Sequence, residues 1–371
     1  MRPDSAIPKR SGCWRRWRWR TEMRTVLPLI AAMTLVFGTT APRAEEKPFA
    51  CPAVPAPVVA LNFGSRYTDD SKTRSDIDEV SNAEVDRALQ PVEQFIGELM
   101  KMANTALMDG DTARGGCVLD WLDQWAAAGA LTELETLNVK LAIPARYAGL
   151  AIALLQAETA GPLDPAKRAR VVAWLTDVAT AMEQFFDNDA PKNAKRANLR
   201  AWAGLAAAAI GRLNGDSAML DWAKGSFELV TCQASPDGSL PLEMNRADKA
   251  LNYQLHATAP LIVTADLLKA TGYDGYAACD GKLSTIAAFS LRAIEDPSIV
   301  QKINGKEQTF QTGKQALEPF MLAWVEPLLR HAPDPATDAF VAPLRPLAHA
   351  KLGGNLTRLG DWVARLPAST S

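Results

Sequence analysis

The sequence predicts an all-α protein built from helix hairpins, and three observations carry that prediction. Ala- and Leu-rich segments of helical length recur along the chain, runs of β-branched residues are short, and most breaks hold Gly, Pro or Asn-Asp turn chemistry. Short breaks between helices of similar length make neighbours antiparallel. Stacked hairpins of this kind give an α-solenoid or a toroid of helix pairs. No repeat motif of roughly 34 or 40 residues is visible, which weighs against the common solenoids. With 48% apolar residues among 371, the chain can bury a large core and is not a disordered one.

The first element is an address. Arg15, Arg16, Arg18, Arg20 and Arg24 precede the apolar run VLPLIAAMTLVFG, Val26 to Gly38. At 13 residues it is too short to span a bilayer and suits the core of a signal peptide. APRA, ending at Ala44, supplies a cleavage site, although Pro42 stands where a small residue is usual. The expected signal peptide is 1–44, with Met23 as an alternative start and an uncleaved anchor as the alternative outcome. No other segment is apolar enough to cross a membrane, so a secreted, periplasmic protein is expected. Without residues 1–44 the chain keeps 31 basic and 40 acidic residues, a net charge of −9. That excludes nucleic acid as a partner, and a polyanion would have to meet a local basic groove.

Residues 45–80 are Pro-rich and then polar, and read as an extended arm over the surface; 81–371 read as one helical domain. Its first helix covers 84–109. In CVLDWLDQWAAAG, Leu119, Leu122 and Trp125 fall at i, i+3 and i+6, with Gly129 as a stop. Further helices are expected near 140–159, 165–187, 196–213, 216–233, 242–271, 281–294, 315–331 and 337–350. In LDPAKR, Asp164 and Pro165 suit the N-cap and first helical position. Cys13 leaves with the signal peptide, and Cys51, Cys117, Cys232 and Cys279 remain. In an oxidising compartment four cysteines allow three pairings. Sequence proximity favours Cys51 with Cys117 and Cys232 with Cys279. The spacings match no zinc pattern, and with three histidines in the chain no metal site is expected.

Two stretches carry candidate chemistry. On a helix starting at Leu242, Arg246 and Tyr253 would share one face about 10.5 Å apart, with His256 one turn further on. Guanidinium, phenol and imidazole together suit an anionic ligand: Arg holds a carboxylate, and Tyr or His moves a proton. In PKNAKRANLRAWAG, Lys192, Lys195, Arg196 and Arg200 come without an intervening acid, and Asn198 and Trp202 fall at i, i+4. An indole for stacking on a pyranose and an amide for its carboxylate suit an acidic sugar. A solvated helix face is the plain alternative for both stretches.

NLRAWAG, LDWAKGSFE and DGSLPLEMNRADKALNY resemble the alginate lyase family, polysaccharide lyase family 5. CPAVPAP, SRYTDDSKTRS, CVLDWLDQWAAAGAL, NGKEQ and LGGNLTR extend the likeness, in order, through most of the chain. The resemblance implies an α/α-toroid, an incomplete barrel of antiparallel hairpins, that cleaves poly-β-D-mannuronate by β-elimination. It puts Arg246 and Tyr253 on the family's catalytic arginine and tyrosine, and Asn198 on the asparagine that helps neutralise the substrate carboxylate. Trp202 matches the tryptophan four residues later, Lys72 would lie near substrate, and Lys195 and Arg200 join the binding residues. Two positions depart. Leu199 stands where the family has its catalytic histidine, and His256 where it has a second tyrosine.

β-Elimination needs the uronate carboxylate neutralised, so that the enolate-like intermediate is bearable, and a base and an acid at C5 and the C4–O bond. Asn198 and Arg246 suit the first need. Tyr253 suits the second as both base and acid in a syn elimination, its phenol pKa lowered by the guanidinium, or His256 takes the base role. No cofactor is expected. The alternative is an inactive polysaccharide-binding protein working with envelope export proteins, which Leu199 favours. A hydrolase using paired carboxylates would have only Glu243 and Glu318 to offer.

Overall fold

The computed structural model describes residues 49–366. The expected signal peptide lies outside them. The helices come as hairpins, in chain order. The first pair is α1 (Glu79–Asp109) and α2 (Thr112–Ala127). A short α3 (Leu137–Ala142) leads into α4 (Pro144–Ala160) and α5 (Pro165–Gln184). Next come α6 (Asn198–Asn214) and α7 (Ser217–Thr231), then a single turn, α8 (Pro241–Met244), before α9 (Ala250–Lys269) and α10 (Ala278–Glu295). The C-terminal part holds α11 (Ser298–Asn304), α12 (Val325–His331), α13 (Pro335–Val341) and α14 (Leu356–Leu359). The turn chemistry that marked the breaks caps the helices. The carboxylates of Asp78, Asp111, Asp164 and Asp216 each accept backbone N–H groups at a helix start. Gly110 and Gly215 end α1 and α6 in the left-handed conformation.

The hairpins make two layers. The helices α1, α4, α6 and α9 pack in sequence as an inner row, and α2, α5, α7 and α10 back them on the outside. Composition explains the sorting. In α4, 13 of 17 residues are buried, and in α6, 15 of 17, so both are enclosed on every side. This is the α/α-toroid, left incomplete: C-terminal segments, rather than another hairpin, lie between α9 and α1.

The LGGN stretch locks that C-terminal part in place. Asn104 of α1 donates to Gln156 of α4 (2.7 Å) and to the Gly353 carbonyl (2.9 Å), and accepts from the Asn355 N–H (2.7 Å). Gly354 has φ +86°, and a Cβ there would lie 2.2 Å from Asn104 Oδ1, so only glycine fits. The result is a small antiparallel pair, β3 (Ala348–His349) with β4 (Gly354–Asn355), held against the inner row. Its numbering follows β1 (Ala60–Leu61) and β2 (Glu133–Leu134), a parallel pair that anchors the arm.

The described part of the arm contains no helix before Glu79. Cys51 is bonded to Cys117 of α2, and the indoles of Trp121 and Trp125 donate to the carbonyls of Pro52 and Pro55 at 3.1 and 3.0 Å. The second disulfide joins Cys232 to Cys279. Both pairings are the ones that proximity favoured.

Three expected helices differ. The one at 242–271 is interrupted between Met244 and Ala250. That at 315–331 starts as a 3-10 turn, Pro319–Leu322, before α12. At 337–350, Pro343 and Pro346 stop the helix, so α13 gives way to a 3-10 turn, Ala342–Leu344, and then β3. No described helix is long and apolar enough to cross a membrane.

Candidate active site

The arm delivers a side chain that residue patterns alone did not single out. After β1 the chain turns back on itself through a bridge between Tyr67 and Ile77, tightened by Ser71, which donates to Asp76 (2.8 Å) and accepts from the N–H groups of Ser75 and Asp76. Arg66 ties this loop to α1 through Asn82 (2.7 Å). Tyr67 then places its hydroxyl against that of Tyr253, in the first turn of α9. Burial raises the Tyr67 phenol above its ordinary value, and Arg246, Arg66 and Arg74 only partly offset it.

Arg246 reaches the same point by a route the helical periodicity did not foresee. It sits in the break before α9, followed by Ala247 with φ +49°. The last residue of α11 and the loop after it fill this break. Asn304 donates to the Ala247 carbonyl (2.8 Å), and Gln308 donates to it as well (3.1 Å) while accepting the Leu251 N–H (3.0 Å). Tertiary hydrogen bonds thus replace the helical ones. The Arg246 guanidinium ends over the Tyr253 ring, 3.8 Å from its centroid, and donates to the Thr73 and Arg74 carbonyls of the arm at 3.3 and 3.4 Å.

Asn198, at the start of α6, is held from beneath. Its backbone N–H and its side-chain amide donate to the two carboxylate oxygens of Glu243, at 2.7 and 2.9 Å. Both residues are 1% exposed. Burial raises the Glu243 carboxyl, against the opposing pull of Arg246 and the two Asn198 donors. Asn198 Oδ1 is buried with no partner in the protein, and one N–H of its amide is left over. Glu243 is therefore an anchor for Asn198. Glu318, the other carboxylate considered, stands in extended conformation just before the 3-10 turn at Pro319 and makes no cap hydrogen bond there.

Trp202, four residues on, forms the floor. It is buried, its indole donates to the His256 carbonyl (3.1 Å), and two imidazoles contact its ring: His256 with centroids 5.2 Å apart and His349 at 5.7 Å. His256 also meets Tyr253 edge-on at 6.4 Å. Although His256 keeps exposed surface, the protein crowds around it. That crowding, and then Lys351, Arg146 and Arg246, hold its imidazole below the ordinary value and so uncharged at neutral pH. Behind His349 lies a network of Glu93, Arg146 and Lys351. Lys351 donates to Glu93 at 2.9 and 3.0 Å, and Arg146 pairs with the same carboxylate. Gly149 lets the 3-10 turn that carries Lys351 close on α4, since a Cβ there would stand 3.0 Å from Ile96 Cγ2 and 3.3 Å from the Lys351 Cα.

The structure thus joins Arg246, Tyr253, His256 and Trp202 through their side-chain contacts, with Asn198 linked to Arg246 by way of Glu243. Lys72 is exposed on the arm, one residue from the carbonyl that Arg246 holds. Arg200 and Lys195 are not brought there. Arg200 is buried on the far face of α6, paired with Asp187 (2.8 Å) and stacked on Trp222, and Lys195 donates to the Asp187 carbonyl (2.7 Å). Residue patterns missed Tyr67, His349, Arg146 and Lys351. For Tyr67 the signal was present in SRYTDDSKTRS, and for Lys351 in its place beside LGGN. No sequence feature singled out the other two. Leu199 is half-buried and packs on the core next to Asn198. Among the described residues no group of three or more His, Cys, Asp or Glu is placed to hold a metal.

A polysaccharide lyase of Stenotrophomonas maltophilia is 30% identical over 321 residues, spanning 86% of this chain and 93% of that protein. An alginate lyase of Azotobacter vinelandii is 29% identical over 336 residues, 88% of each chain. Among solved structures, alginate lyase A1-III from Sphingomonas species A1 superposes with a TM-score of 0.70 at 24% identity, over 85% of this chain and 88% of that one. A variant of A1-III complexed with a tetrasaccharide superposes with a TM-score of 0.75 at the same identity and coverage. Residues 40–300 match the family model described as alginate lyase, and the chain belongs to that family.

Proposed function

We propose that the protein is a polysaccharide lyase that cleaves a uronate-containing polymer of the polymannuronate kind by β-elimination, after export to the periplasm. The observation that carries this reading is the stacking of Arg246 on Tyr253, with the Asn198 amide held by Glu243, whose carboxyl also feels Arg246. Tyr253, as phenolate, removes the C5 proton of the uronate. The electron pair forms the C4–C5 double bond, the C4–O bond breaks, and the tyrosine returns its proton to the leaving oxygen. The guanidinium lies where phenolate charge forms, and the Tyr67 hydroxyl supports the same oxygen. The free N–H of Asn198 meets the substrate carboxylate and stabilises the enolate-like intermediate. With Leu199 in place of an imidazole, the neutral His256 is the group that shares this work. The polymer is the expected partner, and Lys72 contacts it from the arm.

Tyr253→Phe removes the proton carrier while keeping the ring beneath Arg246. It is expected to abolish unsaturated, ultraviolet-absorbing products, and undiminished activity would sink the assignment. Leu199 favours one other reading, a polysaccharide-binding protein of an export system that cuts nothing. Saturable binding of a polyuronate with no product at any pH would support that reading instead.

A further inference from the structure

His349 is the one imidazole at the cleft whose protonated nitrogen the structure identifies. Its Nδ1 accepts the Lys351 backbone N–H at 3.2 Å, so the neutral ring carries its hydrogen on Nε2. No other described residue makes a hydrogen bond to that Nε2. The ring is braced on two sides, by Trp202 and by Phe320, whose centroid lies 5.9 Å away. The strand beneath it is fixed through Asn104 and Gln156, which both donate to the Gly353 carbonyl. Local charge favours an anion, because Arg146 and Lys351 share a single carboxylate, Glu93. Phe320 is 47% exposed at the edge of this region, and nothing in the core requires it there. Ring contacts run without a gap from Tyr253 to His256, from His256 to Trp202, from Trp202 to His349 and from His349 to Phe320, which joins this group to the reacting position.

We infer that His349 and Phe320 form a second uronate subsite beside the reacting one, in which His349 Nε2–H donates to the sugar's carboxylate and Phe320 carries the sugar's apolar face. The assignment rests on the lyase reading for the identity of the polymer. It makes His349 a recognition residue rather than a proton carrier, and it selects a polymer with a carboxylate on the sugar next to the one cut.

The test uses the mature full-length protein and three variants: His349→Phe, which keeps the ring and loses the donor, His349→Gln, which keeps an N–H at the same reach, and Phe320→Ala. Circular dichroism first establishes that each is folded. On polymannuronate, His349→Phe is expected to raise KM about tenfold while kcat stays within about twofold, the size of one hydrogen bond to a charged group. His349→Gln is expected to recover most of that loss, and Phe320→Ala to raise KM several-fold. Calorimetric titration then compares an oligomannuronate with its carboxyl-reduced counterpart. The advantage of wild type over His349→Phe is expected for the acid and absent for the reduced sugar. Active wild type with an unchanged KM in His349→Phe overturns the subsite and leaves the lyase reading standing. Wild type that cuts no polyuronate overturns the lyase reading, and the titration then decides the subsite by itself. Weaker binding by His349→Phe supports it; equal binding, or none by either protein, overturns it.

Discussion

At the scale of single residues, the cleft turns on how two groups are held. Asn198 is useful only while Glu243 fixes its amide, and Glu243 is fully buried. Burial raises its carboxyl above the ordinary 4.5, so the folded chain binds that proton more tightly than the unfolded one. By linkage, this residue's contribution to stability falls as pH rises from about 4.5 through the raised value. Glu243→Gln has no such slope, and its side-chain N–H opposes one of the two Asn198 donors. Measured by urea unfolding, the variant's stability relative to wild type is expected to improve from pH 5 to pH 8. Its kcat is expected to fall, because Asn198 loses its orientation. A relative stability that worsens with pH would contradict the assignment of Glu243 as the buried anchor. The sequence showed Asn198, Arg246 and Tyr253 as candidates through residue type and helical spacing, and then through the family resemblance. It could not show that Arg200, two residues from Asn198, turns to the opposite face to meet Asp187.

At the scale of elements, the helices were legible wherever their stability is local. Caps, glycine stops and apolar periodicity marked α1, α2, α5, α6, α7 and α10 closely. They failed between Met244 and Ala250, where periodicity ran on but Asn304 and Gln308 take over the backbone hydrogen bonds from a distant loop. A contact of that separation leaves no trace in a local pattern. Gln308 is fully buried and serves both the Leu251 N–H and the Ala247 carbonyl. Gln308→Ala leaves the N–H without its partner, and is expected to cost about 1–3 kcal/mol in urea unfolding. It should also lower kcat/KM by releasing Arg246 from above Tyr253. A stable variant with unchanged kcat/KM would show that the loop does not hold the break.

At the scale of the whole molecule, the arrangement reconciles an acidic chain with the acidic substrate proposed for it. Residues 45–371 carry a net charge of −9, yet Arg246, Arg146 and Lys351 all act on His256, with half-buried Glu93 and fully buried Glu243 as counter-charges. An incomplete ring suits this, because the inner row supplies Asn198, Trp202, Tyr253 and His256, the arm supplies Tyr67, and the C-terminal strand supplies His349. The hairpins were readable from the helix and turn pattern and the ring only from the family resemblance, whereas the closing of arm and C-terminal strand depends on contacts across hundreds of residues. The central claim is that this cleft performs β-elimination although Leu199 stands where the family has its histidine. The measurement that tests it most directly is absorbance at the unsaturated-uronate band, with mature protein incubated separately with polymannuronate, polyguluronate, polyglucuronate and hyaluronan. A rise on polymannuronate or another of these uronates is the expected result. A flat trace on all four, from folded protein that still binds one of them, would contradict it and leave a cleft that holds the polymer without cutting it.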